Sequence, residues 1–309
     1  MRVRLPKPAL VLVLAAVLCG SGLFASPQSQ EKRSKSDSDI NAIGHRDIGK
    51  GLDFYSLEHE KELGNALAKQ VDRSWRFVND PEVVGYVDRV GQNVARNSDV
   101  RVPVTFRVID TKTVSAFTLP GGYQYISQGL LLRLQSEGEL AGVLAHGIAH
   151  IALRSDTKEA TRGEIAQLAM IPAMIFVPYD WSGSAPGMMA GMNFQVPLTF
   201  LKKEREDILA GDYFGLQYLY VAGYDPEGYL SFMERVWPQI SAGKPNVRSA
   251  FSPSPPLADR IQAMRKEIAE ILPKRDGAVI STPEFKDFQE HVRAWKPGLS
   301  ESKQPDDKR

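Results

Sequence analysis

The chain has 309 residues, 38 lysines and arginines against 37 aspartates and glutamates, 43% hydrophobic residues and a single cysteine. Balanced charge and ordinary apolar content exclude a wholly disordered chain, a collagen-like repeat and a polytopic membrane protein, and they argue against nucleic acid as a partner, which needs a basic excess. One cysteine forms no internal disulfide and no cysteine-based zinc finger.

In chain order, the first element is a targeting segment. Arg2, Arg4 and Lys7 precede an apolar run from Pro8 to Leu18, too short for a membrane span of about 20 residues. Small residues follow at Gly20, Ser21, Gly22 and Ala25. Residues 1–25 therefore read as a signal peptide cleaved near Ala25, and the mature chain as exported, periplasmic or extracellular. Cys19 stands where a bacterial lipoprotein carries its lipid-accepting cysteine, but Leu18 is larger than the small residue such signals place before it. Lipoprotein anchoring is thus the secondary reading. Residues 26–46 are polar and without apolar periodicity, as in a disordered leader.

The folded body is expected over 47–272. Leu57, Leu63, Leu67, Val71 and Trp75 predict an amphipathic helix within 56–78. Val102 to Asp110 and Gly122 to Ser127 alternate with β-branched and aromatic residues and predict strands, the second fed by a turn at Pro120-Gly121-Gly122. Helices are predicted over 137–154, 203–222, 226–239 and 256–271. The segment Ile165 to Phe200 holds five of the eight methionines, with four prolines. It is read either as an apolar helix that becomes a loop packed on the core, or as a lid touching substrate or a membrane surface. Ser281-Thr282-Pro283 opens a short helix through Phe285, Phe288 and Val292, so that 273–309 is a C-terminal helix with a disordered tail from Lys296. Many helices and few strands give an α+β fold, mainly helical with a small β-sheet.

The chemically informative stretch is Glu139 to Arg154, ELAGVLAHGIAHIALR. His146 and His150 lie at i and i+4, which puts both imidazoles on one helix face about 6 Å apart, where they could share a metal ion. By itself this spacing fits a pair of packed core histidines equally well.

Further text sets the pair in context: Phe54-Tyr55-Ser56-Leu57-Glu58, Ala116-Phe117-Thr118-Leu119-Pro120-Gly121-Gly122, Leu140-Ala141-Gly142-Val143-Leu144-Ala145-His146, Asp212, Gly215 and Ala222-Gly223-Tyr224-Asp225-Pro226. In these motifs, their order and their separations the chain resembles peptidase family M48, the gluzincin zinc metallopeptidases of the HtpX and CAAX prenyl protease type, with periplasmic bacterial members. The resemblance implies a zincin-like domain whose site is an H-E-x-x-H helix plus a glutamate preceding an Ala-Asp pair on a later helix. Two imidazoles and one carboxylate there hold zinc with a fourth position open for water, and the motif glutamate takes the proton from that water.

Carried over by position, His146 and His150 match the histidine ligands, and Gly147 occupies the position of the general base. The family pattern F-S-R-x-x-E-x-x-A-D-x-x-G lays onto Lys203 to Gly215 without a gap. Arg205 and Asp212 then match residues outside the metal's own ligand set, and Ile208 stands at the third zinc-ligand position. Ser115 replaces the family's asparagine, and Ser254-Pro255 its His-Pro. Ser115, Ala116, Phe117, Gly121 and Gly122 would edge the substrate cleft.

Glu204 and Asp212 flank Ile208 by four residues each and are the candidate replacement ligands, although one helical turn is about 5.4 Å. Their alternatives are a solvated helix face for Glu204 and a hydrogen bond orienting His150 for Asp212. The expectation is a non-catalytic pseudopeptidase, with zinc absent or weakly bound, that binds unfolded or envelope proteins. An active zinc metalloendopeptidase in envelope protein quality control is the alternative. Restoring activity is expected to need Gly147→Glu and Ile208→Glu together.

Overall fold

The computed structural model describes residues 36–49, 56–155, 157, 198–241 and 255–295. The signal, the leader up to residue 35, Cys19, Phe54-Tyr55, the methionine-rich stretch up to residue 197, Ser254 and the tail from residue 296 lie outside the described residues.

Helix α1 (Leu57–Ser74) starts where the Ser56 hydroxyl accepts the backbone N–H of His59, a standard side-chain cap for the otherwise unpaired first turn. Helix α2 (Pro81–Arg96) is absent from the sequence reading, although its signals are all present. Asp80 caps Glu82 and Val83, Pro81 takes the first position, and Val83, Val87, Val90 and Val94 bury one face.

Strands β1 (Thr105–Ile109), β2 (Ala116–Leu119) and β3 (Tyr123–Ser127) form a sheet of order β1-β3-β2. β1 runs parallel and β2 antiparallel to β3. The sequence reading does not predict β2. It makes a hairpin with β3 through Pro120-Gly121-Gly122, where both glycines take positive φ, 76° and 99°. Helix α1 lies so close to this turn that a Cβ on Gly64 would come within 1.9 Å of the Pro120 carbonyl oxygen.

The remaining helices are α3 (Gln128–Leu131), α4 (Glu137–Leu153), α5 (Leu198–Val221), α6 (Glu227–Ser241), α7 (Leu257–Glu270) and α8 (Glu284–Ala294). In α4 every residue except His150 and Leu153 is buried, as expected of a helix apolar on all sides. It forms the centre of the main core, packed by α2, α5, α6 and one face of the sheet. The other sheet face packs Leu119, Tyr125 and Ile109 on Leu67, Ala68 and Val71 of α1. Among the described residues no helix is long and apolar enough to cross a membrane.

Two sequence-predicted boundaries shift. Residues 36–46, expected as the end of a disordered leader, dock on the helical body. Arg46 donates to Asp99 Oδ2 at 3.0 Å and 2.6 Å and to Gln217 Oε1 at 2.6 Å, and the Gly44 N–H reaches Asp99 Oδ1 at 2.7 Å. A buried arginine needs such a partner, and composition alone did not reveal it. At the other end, α8 joins the main core through Phe285, Phe288 and Val292. Gln128 fixes its last turn by donating to the carbonyls of Val292 and Trp295, each at 3.0 Å.

The backbone of β2 faces two ways. The Ser127 N–H donates to the Ser115 carbonyl at 2.9 Å. By antiparallel alternation, Ser115, Phe117 and Leu119 turn their backbone groups toward β3, and Ala116 and Thr118 turn theirs outward. Among the described residues no strand pairs with that outer edge.

Candidate functional site

His146 and His150 project from α4 toward α5, with Nε2 atoms 3.2 Å apart and rings nearly edge-on at 71°. Two nitrogens bound to one tetrahedral zinc at about 2.0–2.1 Å stand roughly 3.3 Å apart, so the pair keeps the spacing of two ligands of a common metal. The same distance is that of a hydrogen bond between the rings.

What lies behind each ring favours a definite direction for that bond. His146 Nδ1 is 3.0 Å from Asp212 Oδ1. Arg260 grips Asp212 with two hydrogen bonds of 2.7 Å, and the Tyr229 hydroxyl adds one at 3.1 Å. Burial pushes the Asp212 carboxyl upward, but the Arg260 charge and hydrogen bonds more than offset this and hold it well below the usual carboxylate range. Ionised Asp212 therefore accepts the Nδ1 proton of His146, which leaves the His146 Nε2 lone pair to accept from His150 Nε2–H. His150 Nδ1 then faces the Ser155 hydroxyl at 3.4 Å as an acceptor. Burial, and next the neighbouring His146, lower His150 to about 3, so it is neutral near pH 7. The tautomers follow from these partners.

Sequence reasoning expected Asp212 to orient His150. The structure puts it on His146 instead, because α5 crosses α4 level with the earlier histidine. With its oxygens directed at Nδ1, Arg260 and Tyr229, Asp212 backs the imidazole and does not face the Nε2 atoms as a replacement ligand would. The cation on Asp212 is Arg260 from α7. Arg205, half-buried on α5, precedes Asp212 by about two turns.

Two glycines shape the walls. A Cβ on Gly147 would come within 2.2 Å of Gln124 Nε2 and 2.6 Å of its Cδ. The Gln124 side chain, buried on β3, thus occupies the space from which the motif glutamate would grow. A Cβ on Gly211 would lie 2.6 Å from His150 Nε2 and 3.0 Å from His146 Cε1. Gly211 stands where the family pattern has the alanine of its Ala-Asp pair, and the His150 ring leans into the room it leaves. Ile208, half-buried one turn before Asp212, offers no metal donor. The side chain of Glu204 lies outside the described residues.

Among the described residues no three His, Cys, Asp or Glu side chains gather so as to hold a metal ion. Among the described residues the donor set fits two ligands of a catalytic zinc, and the positions matched to the carboxylate ligand and the base hold Ile208 and Gly147.

Of the expected cleft-edge residues, Ser115 and Ala116 lead into the β2 edge that no strand pairs with among the described residues. Phe117 stacks on Tyr125 at 4.8 Å, on the α1 side of the sheet. Gly121 and Gly122 are close-packing positions, near Lys61 and Pro103 respectively. Sequence reasoning missed Gln124, Gly211, Tyr229 and Arg260. A signal existed for Arg260, a charge on the apolar stripe of Leu257, Ile261, Met264 and Ile268.

Comparison with known proteins places this geometry. The model of peptidase family M48 matches residues 81–268. A putative beta-barrel assembly-enhancing protease of Vibrio cholerae is 29% identical over 227 residues, 71% of this chain and 46% of that protein. The beta-barrel assembly-enhancing protease of Escherichia coli K12 is 25% identical over 192 residues, 60% of this chain and 39% of its own length. The mitochondrial metalloendopeptidase OMA1 of Schizosaccharomyces pombe is 29% identical over 229 residues, 72% of this chain and 64% of that protein. The match thus spans less than half the length of the two bacterial relatives.

Proposed function

The chain belongs to peptidase family M48, and from that premise we propose that it is an exported member that has given up peptide hydrolysis and uses the former cleft to bind unfolded or envelope proteins. One observation carries the loss of chemistry. The position of the base is Gly147, and the space beside it is filled by the buried side chain of Gln124. With Ile208 in place of the third ligand, zinc would keep two protein ligands, and a water would find neither full Lewis-acid polarisation nor a proton acceptor. The names of the bacterial relatives, beta-barrel assembly-enhancing proteases, support envelope proteins as clients. The edge of β2 with which no strand pairs among the described residues supports an extended chain as the bound form, through main-chain hydrogen bonds.

Elemental analysis of the mature chain after dialysis against a mild chelator is expected to find well under one zinc per chain. One zinc retained under these conditions, and lost on His146→Ala, overturns this reading of the site.

A second reading, a working zinc metalloendopeptidase, is favoured by the 3.2 Å spacing of the Nε2 atoms and by the Asp212 carboxylate behind His146. It requires chelator-sensitive cleavage of an unfolded protein by the wild type.

Export rests on the basic residues before the short apolar run and on the polar segment after it. Intact-mass measurement of protein from its native host is expected to show a chain beginning near Ser26. A mass retaining Met1, or one for a lipidated Cys19, counts against it.

A further inference from the structure

Residues 36–49 carry only a short 3₁₀ turn of their own, Ile40–Ala42, so side chains hold them to the body. Ile40, Ile43 and Ile48 lie half-buried on the main core, and Arg46 is 3% exposed. Its guanidinium is recognised on its edges and its face. Nε and Nη2 both donate to Asp99 Oδ2, and Nη1 donates to Gln217 Oε1 and to the Asp37 carbonyl, the last at 2.7 Å. The rings of Phe214 and Tyr218 lie 5.1 and 5.9 Å from its central carbon. The receiving groups have further partners that orient them. The Tyr218 hydroxyl donates to Asp99 Oδ2 at 2.8 Å, and Gln217 Nε2 donates to Glu267 Oε1 of α7 at 3.1 Å, which leaves the Gln217 oxygen for Arg46. An ammonium, a point charge without the planar fork, does not satisfy these acceptors together.

The same segment touches both helices of the histidine site. Phe214, Gln217 and Tyr218 continue α5 from Asp212, the carboxylate behind His146. Three residues after Arg46 the chain meets the end of α4, where a Cβ on Gly49 would lie 3.1 Å from the Ala152 carbonyl oxygen. Ala152 stands two residues after His150, in the last helical turn, which lacks the following turn that secures the rest of the helix.

We infer that residues 36–49 are a releasable strap, seated by a guanidinium receptor around Asp99, that couples the polar leader to the helices carrying His146, His150 and Asp212. Seated, it braces the last turn of α4 and the second half of α5 with one segment. Released, it leaves Asp99 a buried carboxylate without its cation, and both helices lose the brace. The device belongs to the chain's own leader and does not depend on what the cleft binds.

The test uses the chain from Ser26 onward, with amide hydrogen exchange read segment by segment. Arg46→Met combined with Asp99→Asn empties the seat and leaves no unpaired charge, so the body stays folded. Exchange at 36–49 and in the last turn of α4 is expected to rise at least about tenfold, the value of one hydrogen bond to a charged group, with the amides of Val87 and Val90 in α2 unchanged. Faster exchange at 36–49 alone overturns the coupling. A uniform rise that includes α2 marks an ordinary core contact and overturns the strap, as does no change at all. The receptor is tested in Arg46→Ala, whose missing atoms are those of ethylguanidinium. That cation at millimolar concentration is expected to restore protection, or folding itself where the variant has lost it, and ethylammonium is not. Rescue by both cations, or by neither, overturns the guanidinium receptor.

Discussion

Arg260→Ala lowers the stability of the chain by about 3–5 kcal/mol, because it leaves the Asp212 carboxylate buried without its cation. Arg260 is fully buried and holds Asp212 through two hydrogen bonds. With His146 and Tyr229 on the same carboxylate, one node joins α4, α5, α6 and α7. The pH dependence has a definite sign. In the wild type the folded Asp212 carboxyl is held below its ordinary value of 3.8. Its contribution is therefore fully present above that value and lost only as pH falls through the depressed folded one. Without Arg260, burial raises the folded carboxyl instead, and the variant is penalised increasingly as pH rises above the unfolded value. Urea unfolding should show a larger deficit near pH 7 than near pH 4. Removing Asp212 together with Arg260 should recover part of the loss, since no unpaired charge then remains. A deficit under about 1 kcal/mol at pH 7 would contradict the account of this node.

The second large effect is a gain. Rebuilding the family site with Gly147→Glu and Ile208→Glu, the pair that position matching calls for, is expected to meet a steric obstacle. The new Cβ would meet the Gln124 amide at 2.2 Å, so the base can be seated only if that buried side chain moves to another rotamer. The triple variant Gly147→Glu, Ile208→Glu, Gln124→Ala supplies the base, the third ligand and the space. Chelator-sensitive cleavage of an unfolded protein is expected from the triple variant and not from the wild type, either single variant or the double variant. The gain over the double variant should be at least about 10²-fold, the lower range for a positioned general base. Equal cleavage by the double and triple variants would show that Gln124 does not block the base position.

The class of fold and the heart of the site were legible for different reasons. The i, i+4 histidines and the apolar run around them are local patterns, so α4 and its paired imidazoles follow from helical geometry. Position matching put Gly147 on the helix of the two histidines and Ile208 and Asp212 together on a later one, and the structure has them on α4 and α5. Gln124 and Arg260 come from other parts of the chain, on β3 and α7, and reach Gly147 and Asp212 only through tertiary packing. No periodicity marks such a contact. Gly211 was overlooked for a related reason: the consequence of a missing Cβ depends on which neighbour fills the gap. The end of the leader was misjudged because composition cannot tell a solvated arginine from one that finds a buried aspartate some fifty residues on.

The shortness of β2 bears on how long anything stays. Two outward-facing residues offer two N–H and two C=O groups, at most four main-chain hydrogen bonds, each worth about 0.5–1.5 kcal/mol net. Even the upper sum corresponds to a dissociation constant of tens of micromolar before any ordering cost is subtracted. At association rates of about 10⁵–10⁷ M⁻¹s⁻¹, a segment held by this edge alone leaves in well under a second. Under the proposed client-binding function, a client held in this way would be released and recaptured many times, so the edge would act by repeated sampling and would not store what it meets.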